Sequence, residues 1–231
     1  MTVGEPWLDE IAAARHGMDR SSTATRVADV FREKIADGRL VPGTRLSDDK
    51  LATVMGVSRN TMREAFQMLV KERLLVHEFN RGIFVSRVPA DALADLYRVR
   101  RILECEAVRN GRHATEAALA RVEAAVREGE QAAALGNWAD VGTADIKFHK
   151  ALAALMDSPR VDEMIGHVLV EMRLVFHEMG SPREFHEPYL ARNRRLYNLM
   201  AEGDFARAEG ELRAYLDDAE SQLMKAYHEK E

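Results

Sequence analysis

Arg59 and Arg63 stand one helical turn apart just after Ser58, and Asp145 and His149 stand one turn apart further along the chain. The two pairs suggest different chemistry. An arginine fork at the start of a helix can bridge the O6 and N7 acceptors of guanine, which is how a recognition helix reads the major groove. A carboxylate and an imidazole spaced i, i+4 share a helix face and can hold a divalent cation or hydrogen-bond a ligand. Each pair also has an ordinary reading: solvated surface arginines in one case, a purely structural His–Asp hydrogen bond in the other. The flanking segments decide between them.

Ser58 is a good N-cap, because its hydroxyl can accept one of the unpaired N–H groups of the first turn. Met62, Ala65, Phe66, Leu69 and Val70 then recur at helical spacing and are expected inside. Asn60, Arg63, Glu64, Gln67 and Lys71 fall on the opposite face, and Arg59 projects from the first turn. Upstream, Ser21-Ser22-Thr23 offers caps for a helix with the stripe Val27, Val30, Phe31 and Ile35. It ends at Asp37-Gly38 and the turn Val41-Pro42-Gly43. Ser47 caps a short helix holding Leu51, Ala52 and Val54, which Gly56 breaks. Two short helices across a glycine turn make a helix-turn-helix. Leu74–Glu78 and Gly82–Val85 read as strands joined through Phe79-Asn80-Arg81-Gly82, where Asn and Gly tolerate positive φ. Such a hairpin is a wing, and Arg81 at its tip can enter a minor groove. Residues 21–88 are therefore expected to form a winged helix-turn-helix of three helices and a β-hairpin.

Charge follows the same division. The 231 residues carry a formal −5, which alone would argue against a nucleic-acid partner. Residues 21–88, however, hold 12 Lys+Arg against 8 Asp+Glu, while residues 89–231 hold 19 against 26. Positive charge is concentrated where docking on phosphates needs it. The single cysteine, Cys105, excludes an intramolecular disulfide, reads as a buried structural thiol, and fits a reducing cytoplasm. No apolar stretch reaches the roughly 20 residues of a membrane span, and the N-terminus has no signal-peptide core. Residues 1–20 are an arm or a short helix using Trp7, Leu8 and Ile11.

From residue 89 onward the pattern is helix after helix. Pro89 opens one through His113, with Leu93, Leu96, Val99, Ile102, Leu103 and Val108 on its inner stripe. Others are expected over 115–135, 138–156, 159–179, 189–201 and 205–227, with a loop at 180–188. Short connections make this an all-α antiparallel bundle over 89–231, whose ligand sites would lie between facing helices. The fold class is mainly α.

The N-terminal residues resemble the GntR family of bacterial transcription regulators. The resemblance rests on Gly38, Pro42-Gly43, Leu46, Leu51-Ala52, Gly56-Val57-Ser58-Arg59, Arg63-Glu64-Ala65, Leu69, Arg81-Gly82 and Phe84-Val85. It implies base and phosphate contacts from the recognition helix (Arg59, Asn60, Thr61, Arg63) and minor-groove contact from the wing tip (Arg81, Gly82). Where some relatives have a basic reader, this chain has Asp48-Asp49-Lys50. Lys50 can substitute as a phosphate contact, whereas Asp48 and Asp49 oppose close approach. The second half is similar to the FadR-type branch with its FCD ligand-binding domain, on Leu96-Tyr97-Arg98-Val99-Arg100 with Glu104, Asp145 to His149, and Gly203-Asp204.

In many members of that branch, two further histidines complete a metal site with residues matching Asp145 and His149. Their places here are taken by Asn193 and Tyr215, poor ligands for zinc or nickel. The resemblance therefore implies a pocket without a tightly bound metal, in which Asp145, His149, Asn193 and Tyr215 hydrogen-bond an effector directly. The alternative is a metal held by Asp145 and His149 that senses a small carboxylate. His167, His177 and His186 have no spacing that favours them as substitutes. Arg100 is either an anionic anchor or the ion-pair partner of Glu104, four residues on. Arg173 is a weaker second anchor, expected at the surface. The whole reads as a homodimeric, sequence-specific repressor on a near-palindromic operator, released by a small-molecule effector. Catalysis is not expected: no Ser or Cys nucleophile motif accompanies Asp145 and His149, and an enzyme would leave the winged helix unexplained.

Overall fold

The computed structural model describes residues 18–177 and 179–229; the arm or short helix expected around Trp7, Leu8 and Ile11 lies outside them. The chain divides into two compact units. One comprises the described residues up to Lys34 together with Gly43–Ser86, the other Ile35–Pro42 with the chain from Arg87 onward.

The first unit begins with α1 (Met18–Ala36). Ser21–Thr23 fall inside this helix, so they do not cap it. Ala24, Val27, Ala28, Phe31 and Ile35 make its buried stripe, and Val30, expected inside, is turned out because it lies off that spacing. The strand β1 (Arg45–Leu46), too short to show a pattern, precedes α2 (Asp48–Met55) and α3 (Arg59–Lys71). The Ser58 hydroxyl accepts from Thr61 N at 3.0 Å, and Ser47 does the same for Lys50 N at 3.4 Å. Gly56 stops α2 at φ 66°, a left-handed conformation that only glycine adopts without strain. Met62, Ala65, Phe66 and Leu69 are buried, while Val70 is half-buried and Val54 lies outside on α2. Phe66 meets Phe31 edge-on at 5.3 Å, fixing α3 against α1.

β2 (Leu75–Glu78) and β3 (Gly82–Val85) form the wing, and β1 pairs with the far side of β3, giving the antiparallel order β1-β3-β2. Glu78 opposes Gly82, so the tip is Phe79-Asn80-Arg81, with Asn80 at φ 58°. This three-residue loop fits the chemistry expected of it.

The second unit holds α4 (Ala90–Asn110), α5 (Glu116–Ala134), α6 (Trp138–Ala153), α7 (Pro159–Phe176), α8 (Pro182–Ala201) and α9 (Phe205–His228). One turn of 3-10 helix continues α4, and another continues α6. α6 packs against α4, α5, α7 and α8, which explains why apolar and small residues run around most of its circumference. Phe148 and Leu152 are fully buried there; each such side chain contributes roughly 1.5–3 kcal/mol.

Two expectations fail in this unit. The loop expected at 180–188 is the start of α8. Ser181 accepts from Glu184 N at 3.3 Å, Pro182 takes the first helical position, and Pro188 is tolerated inside the helix. Burial of Phe185, His186 and Tyr189 offsets the hydrogen bond that Pro188 cannot make. On α4, Val99 and Leu103 are only half-buried and Ile102 is 63% exposed; the inner face belongs instead to Tyr97, Arg100, Glu104 and Cys105. No helix among the described residues is long and apolar enough to cross a membrane.

Candidate DNA interface and candidate effector site

The first unit presents one concave face, between α2, α3 and the wing, with Arg45, Lys50, Arg63, Lys71 and Gly82 on its walls. Arg59 and Arg63 project from α3 with side chains 69% and 63% exposed. Each is met by an acid at the start of α2: Arg59 Nε lies 2.7 Å from Asp49 Oδ1, and Arg63 Nε 2.7 Å from Asp48 Oδ2. The hydrogen bond from Arg63 lowers the Asp48 pKa below the usual carboxylate range. The two acids thus do not face the groove unpaired; they hold the arginines expected to read it. Asn60 Nδ2 donates to Glu64 Oε1 at 2.7 Å, and the Thr61 and Ser58 hydroxyls lie 2.8 Å apart.

Lys50 is exposed on the same side. At the wing tip Arg81 pairs with Glu78 and lies 5.4 Å over the Phe84 ring, beside Gly82 at φ 109°. Phe79 next to it is 85% exposed. Arg45 carries no local sign of a role in the chain around it. β1 places it beside the wing, its Nε 3.6 Å from where a Cβ on Gly82 would stand. Only the strand pairing reveals this, since Arg45 and Gly82 are far apart in sequence.

In the second unit, Arg100, Asp145, His149, Asn193 and Tyr215 are all buried and form one hydrogen-bonded group. Arg100 Nε donates to Glu104 Oε1 at 2.7 Å, and His149 Nδ1 meets Glu104 Oε2 at 2.6 Å. Tyr215 Oη donates to Asp145 Oδ1 at 3.1 Å and lies 3.3 Å from His149 Nε2; Asn193 Nδ2 donates to Asp145 Oδ1 at 3.1 Å. Glu104, expected only as a partner of Arg100, is the hub. Burial opposes its ionisation, but Arg100 and His149 prevail and hold its pKa below the usual range. Burial likewise opposes ionisation of Asp145, and His149 with the Asn193 hydrogen bond brings it below the usual range too. Burial drives the Tyr215 hydroxyl well above its ordinary pKa, so it stays a neutral donor. Burial also pushes the Cys105 thiol up to about 11, as suits an inert structural cysteine.

Two further residues, named from the sequence only in weaker roles, lie close enough to Asp145 to interact with it electrostatically. Arg173, expected at the surface, is buried on α7; His186, expected in a loop, is buried on α8. They meet over Gly142, where a Cβ would collide with Arg173 Nη1 and stand 2.9 Å from His186 Nε2. A glycine in the middle of a helix was the one local sign of that close approach. His186, Asp145 and Asn193 line a cavity of about 10 Å³, room for about one water, with walls from Val126, Val141 and Leu190. Arg100 Nη2, Arg173 Nε, His186 Nδ1 and Asn193 Oδ1 are buried without a hydrogen-bond partner.

The donors do not suit a tightly held divalent ion. Asp145 and His149 are the only strong ligands of the expected set, with Oδ1 and Nε2 3.9 Å apart. The neutral Tyr215 hydroxyl lies between them, and Asn193 offers an amide. Among the described residues no three His, Cys, Asp or Glu side chains are grouped to hold a metal.

A winged helix with arginines on its recognition helix, joined to a helical domain with a buried polar pocket, defines a ligand-responsive DNA-binding regulator. The model of the gntR family of bacterial regulatory proteins matches residues 23–85, and that of the FCD domain matches 95–218. The chain belongs to the GntR family of transcription regulators, in the branch carrying an FCD domain; these are regulators, not enzymes. An uncharacterized HTH-type transcriptional regulator of Streptomyces ambofaciens is 30% identical over 215 residues, covering 86% of this chain and 85% of the relative. The galactonate operon transcriptional repressor of Escherichia coli is 26% identical over 209 residues, 80% and 89% of the two chains. The solved structure of a GntR transcriptional regulator from Rhodococcus sp. RHA1 superimposes with a TM-score of 0.82 at 45% identity, covering 89% of this chain and 99% of that one.

Proposed function

We propose that this regulator is a repressor that binds a near-palindromic operator as a two-fold dimer and releases it when a small carboxylate enters the helical domain. Arg59, Asn60, Thr61 and Arg63 read the major groove, with Lys50 on phosphate and Arg81-Gly82 in the minor groove. Dimerisation sets two recognition helices roughly 34–36 Å apart on successive half-sites. On the outer face of α4, Ile102 is exposed beside half-buried Val99 and Leu103, among the charged Arg98 and Arg109, a mixed surface that supports cover by a second copy. The repressing sign is supported by the galactonate operon repressor, which matches this chain over most of its length.

The observation that carries the effector reading is the small cavity whose lining includes two buried polar atoms, His186 Nδ1 and Asn193 Oδ1, without a hydrogen-bond partner among the described residues. Native proteins leave few such atoms, and ligand sites are where they collect. We further propose that the pocket works without a resident metal, Tyr215 and Asn193 supplying directly what metal ligands would otherwise hold. An effector shifts DNA affinity only by binding one arrangement of the protein better than the other.

The test is fluorescence anisotropy of a labelled operator, recovered by selection from random-sequence duplexes. Sequence-selective binding that falls on adding D-galactonate or a related carboxylate supports the reading; selective binding that no carboxylate alters contradicts it. Elemental mass spectrometry of the purified protein decides the metal question. About one zinc or nickel per chain, lost in Asp145→Ala, would replace direct recognition by a metal-held effector.

A further inference from the structure

At the tip of the wing, the charged residue and the residue that projects are different ones. Arg81 N donates to Glu78 O at 3.0 Å, closing a tight turn with Asn80 at φ 58°. The Arg81 guanidinium pairs with Glu78 and lies 5.4 Å over the Phe84 ring, so it is folded back along the hairpin. Phe84 stands opposite Val76, and side chains alternate between the faces of a strand. The next opposed pair, His77 and Ile83, therefore occupies the other face, and it lines the concave groove formed with α2 and α3. Arg81 rests with Phe84 on the face turned away from that groove, and it reaches DNA only by leaving Glu78. Phe79 has nothing to leave. Its side chain is 85% exposed, the highest figure for a large apolar residue among those described.

We infer that Phe79 is a specificity-determining residue: its ring enters the minor groove as an apolar wedge, at a pyrimidine–purine step flanking the bases that α3 reads. This rests on the operator-binding reading above and adds a residue and a kind of readout to it. The occupant follows from what the tip continues. The concave face beside it carries Arg45, Lys50, Arg63 and Lys71, and Arg45 lies against Gly82 at the foot of the tip. Cations so placed suit the phosphates that border a groove, with the ring between the two rows. A phenyl group has no donor or acceptor, so it cannot read the acceptors on the minor-groove floor. It responds instead to how readily neighbouring base pairs come apart, and pyrimidine–purine steps unstack most easily. Phenylalanine is among the side chains that unstack a step from this side and kink the duplex.

A wedge also needs a firm mount. Leu75 and Val85, opposed at the base of the hairpin, are buried, and β3 is the middle strand of its sheet. Above them, the turn's hydrogen bond and the Arg81–Glu78 pair brace the tip. The ring is thus carried on a braced arm, and little conformational freedom is lost when it is gripped.

The test selects duplexes from a random-sequence pool with full-length wild type and, separately, with Phe79→Ala. Both should enrich the same major-groove bases, and only wild type should enrich a pyrimidine–purine step at the flank. On the wild-type operator, Phe79→Ala should bind roughly tenfold more weakly, the scale of one lost base contact, and Phe79→Leu should recover most of that. 2-Aminopurine in place of the step's adenine brightens when unstacked. Its fluorescence should rise with wild type, a reading that needs no variant, and stay flat with Phe79→Ala. Three results each overturn the wedge: the same flanking preference selected by both proteins, no rise of fluorescence with wild type, or Phe79→Ala that binds the operator normally but sediments differently. The last would assign the ring to a protein contact. Arg59→Ala separates this from the operator reading. If it abolishes selection while Phe79→Ala leaves the whole motif intact, the recognition helix stands and the wedge falls; if wild type enriches no sequence, both fall.

Discussion

Arg63 and Arg100 each hold a carboxylate at 2.7 Å, one on the recognition helix and the other in the core of the bundle. On the surface, water screens the pair and the geometry is easily surrendered, so the arginine is free to exchange its partner, as the proposed DNA contact requires. In the core the same contact is enclosed, and Glu104 additionally holds His149. Removing one member there strands the others in a medium that cannot solvate them. A charge kept for recognition is held loosely in water; a charge kept for shape is held tightly away from it. Arg173 fits neither group, being enclosed yet without a carboxylate partner among the described residues.

The largest effect should come from breaking the enclosed set. Glu104→Gln leaves the Arg100 guanidinium without its counter-ion and alters the partner of His149 Nδ1, and should cost about 3–5 kcal/mol in urea unfolding. A loss near zero would mean that water reaches the group and that the contrast with Arg63 is false. Next comes acid. His186 binds a proton near pH 6.5 when unfolded but only near 4 when folded, so unfolding takes up the proton in that window. Stability attributable to His186 is complete above 6.5 and is lost as pH falls to 4, by up to about 3 kcal/mol. His186→Gln should flatten that part of the stability–pH curve, with Asp145 and Arg173 still facing the position.

On the open side, Arg59→Ala and Arg63→Ala should each weaken operator binding by roughly one to two orders of magnitude and relax preference at the contacted base. Their unfolding midpoints should stay at the wild-type value, which sharpens the comparison with Glu104. Asp48→Asn should act least. It frees Arg63 and removes a negative charge, so binding to arbitrary duplexes should tighten by a few-fold at low salt. No change would show that the pair already opens freely.

Legibility in the sequence followed how local the cause was. Ser58, Gly56 and the stripe from Met62 to Leu69 act within a few residues, and α2, α3 and the wing could be read from them. β1 could not, because two residues carry no period and Arg45–Leu46 becomes a strand only by pairing with β3. The start of α8 was hidden by Pro182 and Pro188, which argue locally for a loop and are outweighed by tertiary burial of Phe185, His186 and Tyr189. Asp145, His149, Asn193 and Tyr215 could be grouped beforehand only through the family resemblance, since they come from three helices. Arg173 and His186 were expected only at the surface and in a loop, because nothing in a residue's own surroundings along the chain tells whether its helix turns it inward. Gly142, where they meet, was the sign available.

The pairing of Arg59 and Arg63 with Asp49 and Asp48 also bears on how this protein searches a chromosome. If Arg59 and Arg63 contact DNA as proposed, every encounter begins with an exchange in which an aspartate must release its arginine before phosphate or base can take it. The exchange costs the same at an operator as anywhere else, so it leaves the ratio of right to wrong affinities unchanged. What it shortens is the dwell at each wrong position. A regulator slowed less by arbitrary sequence inspects more of it per unit time, so on the proposed DNA-binding face two aspartates that look misplaced would become a means of moving along it.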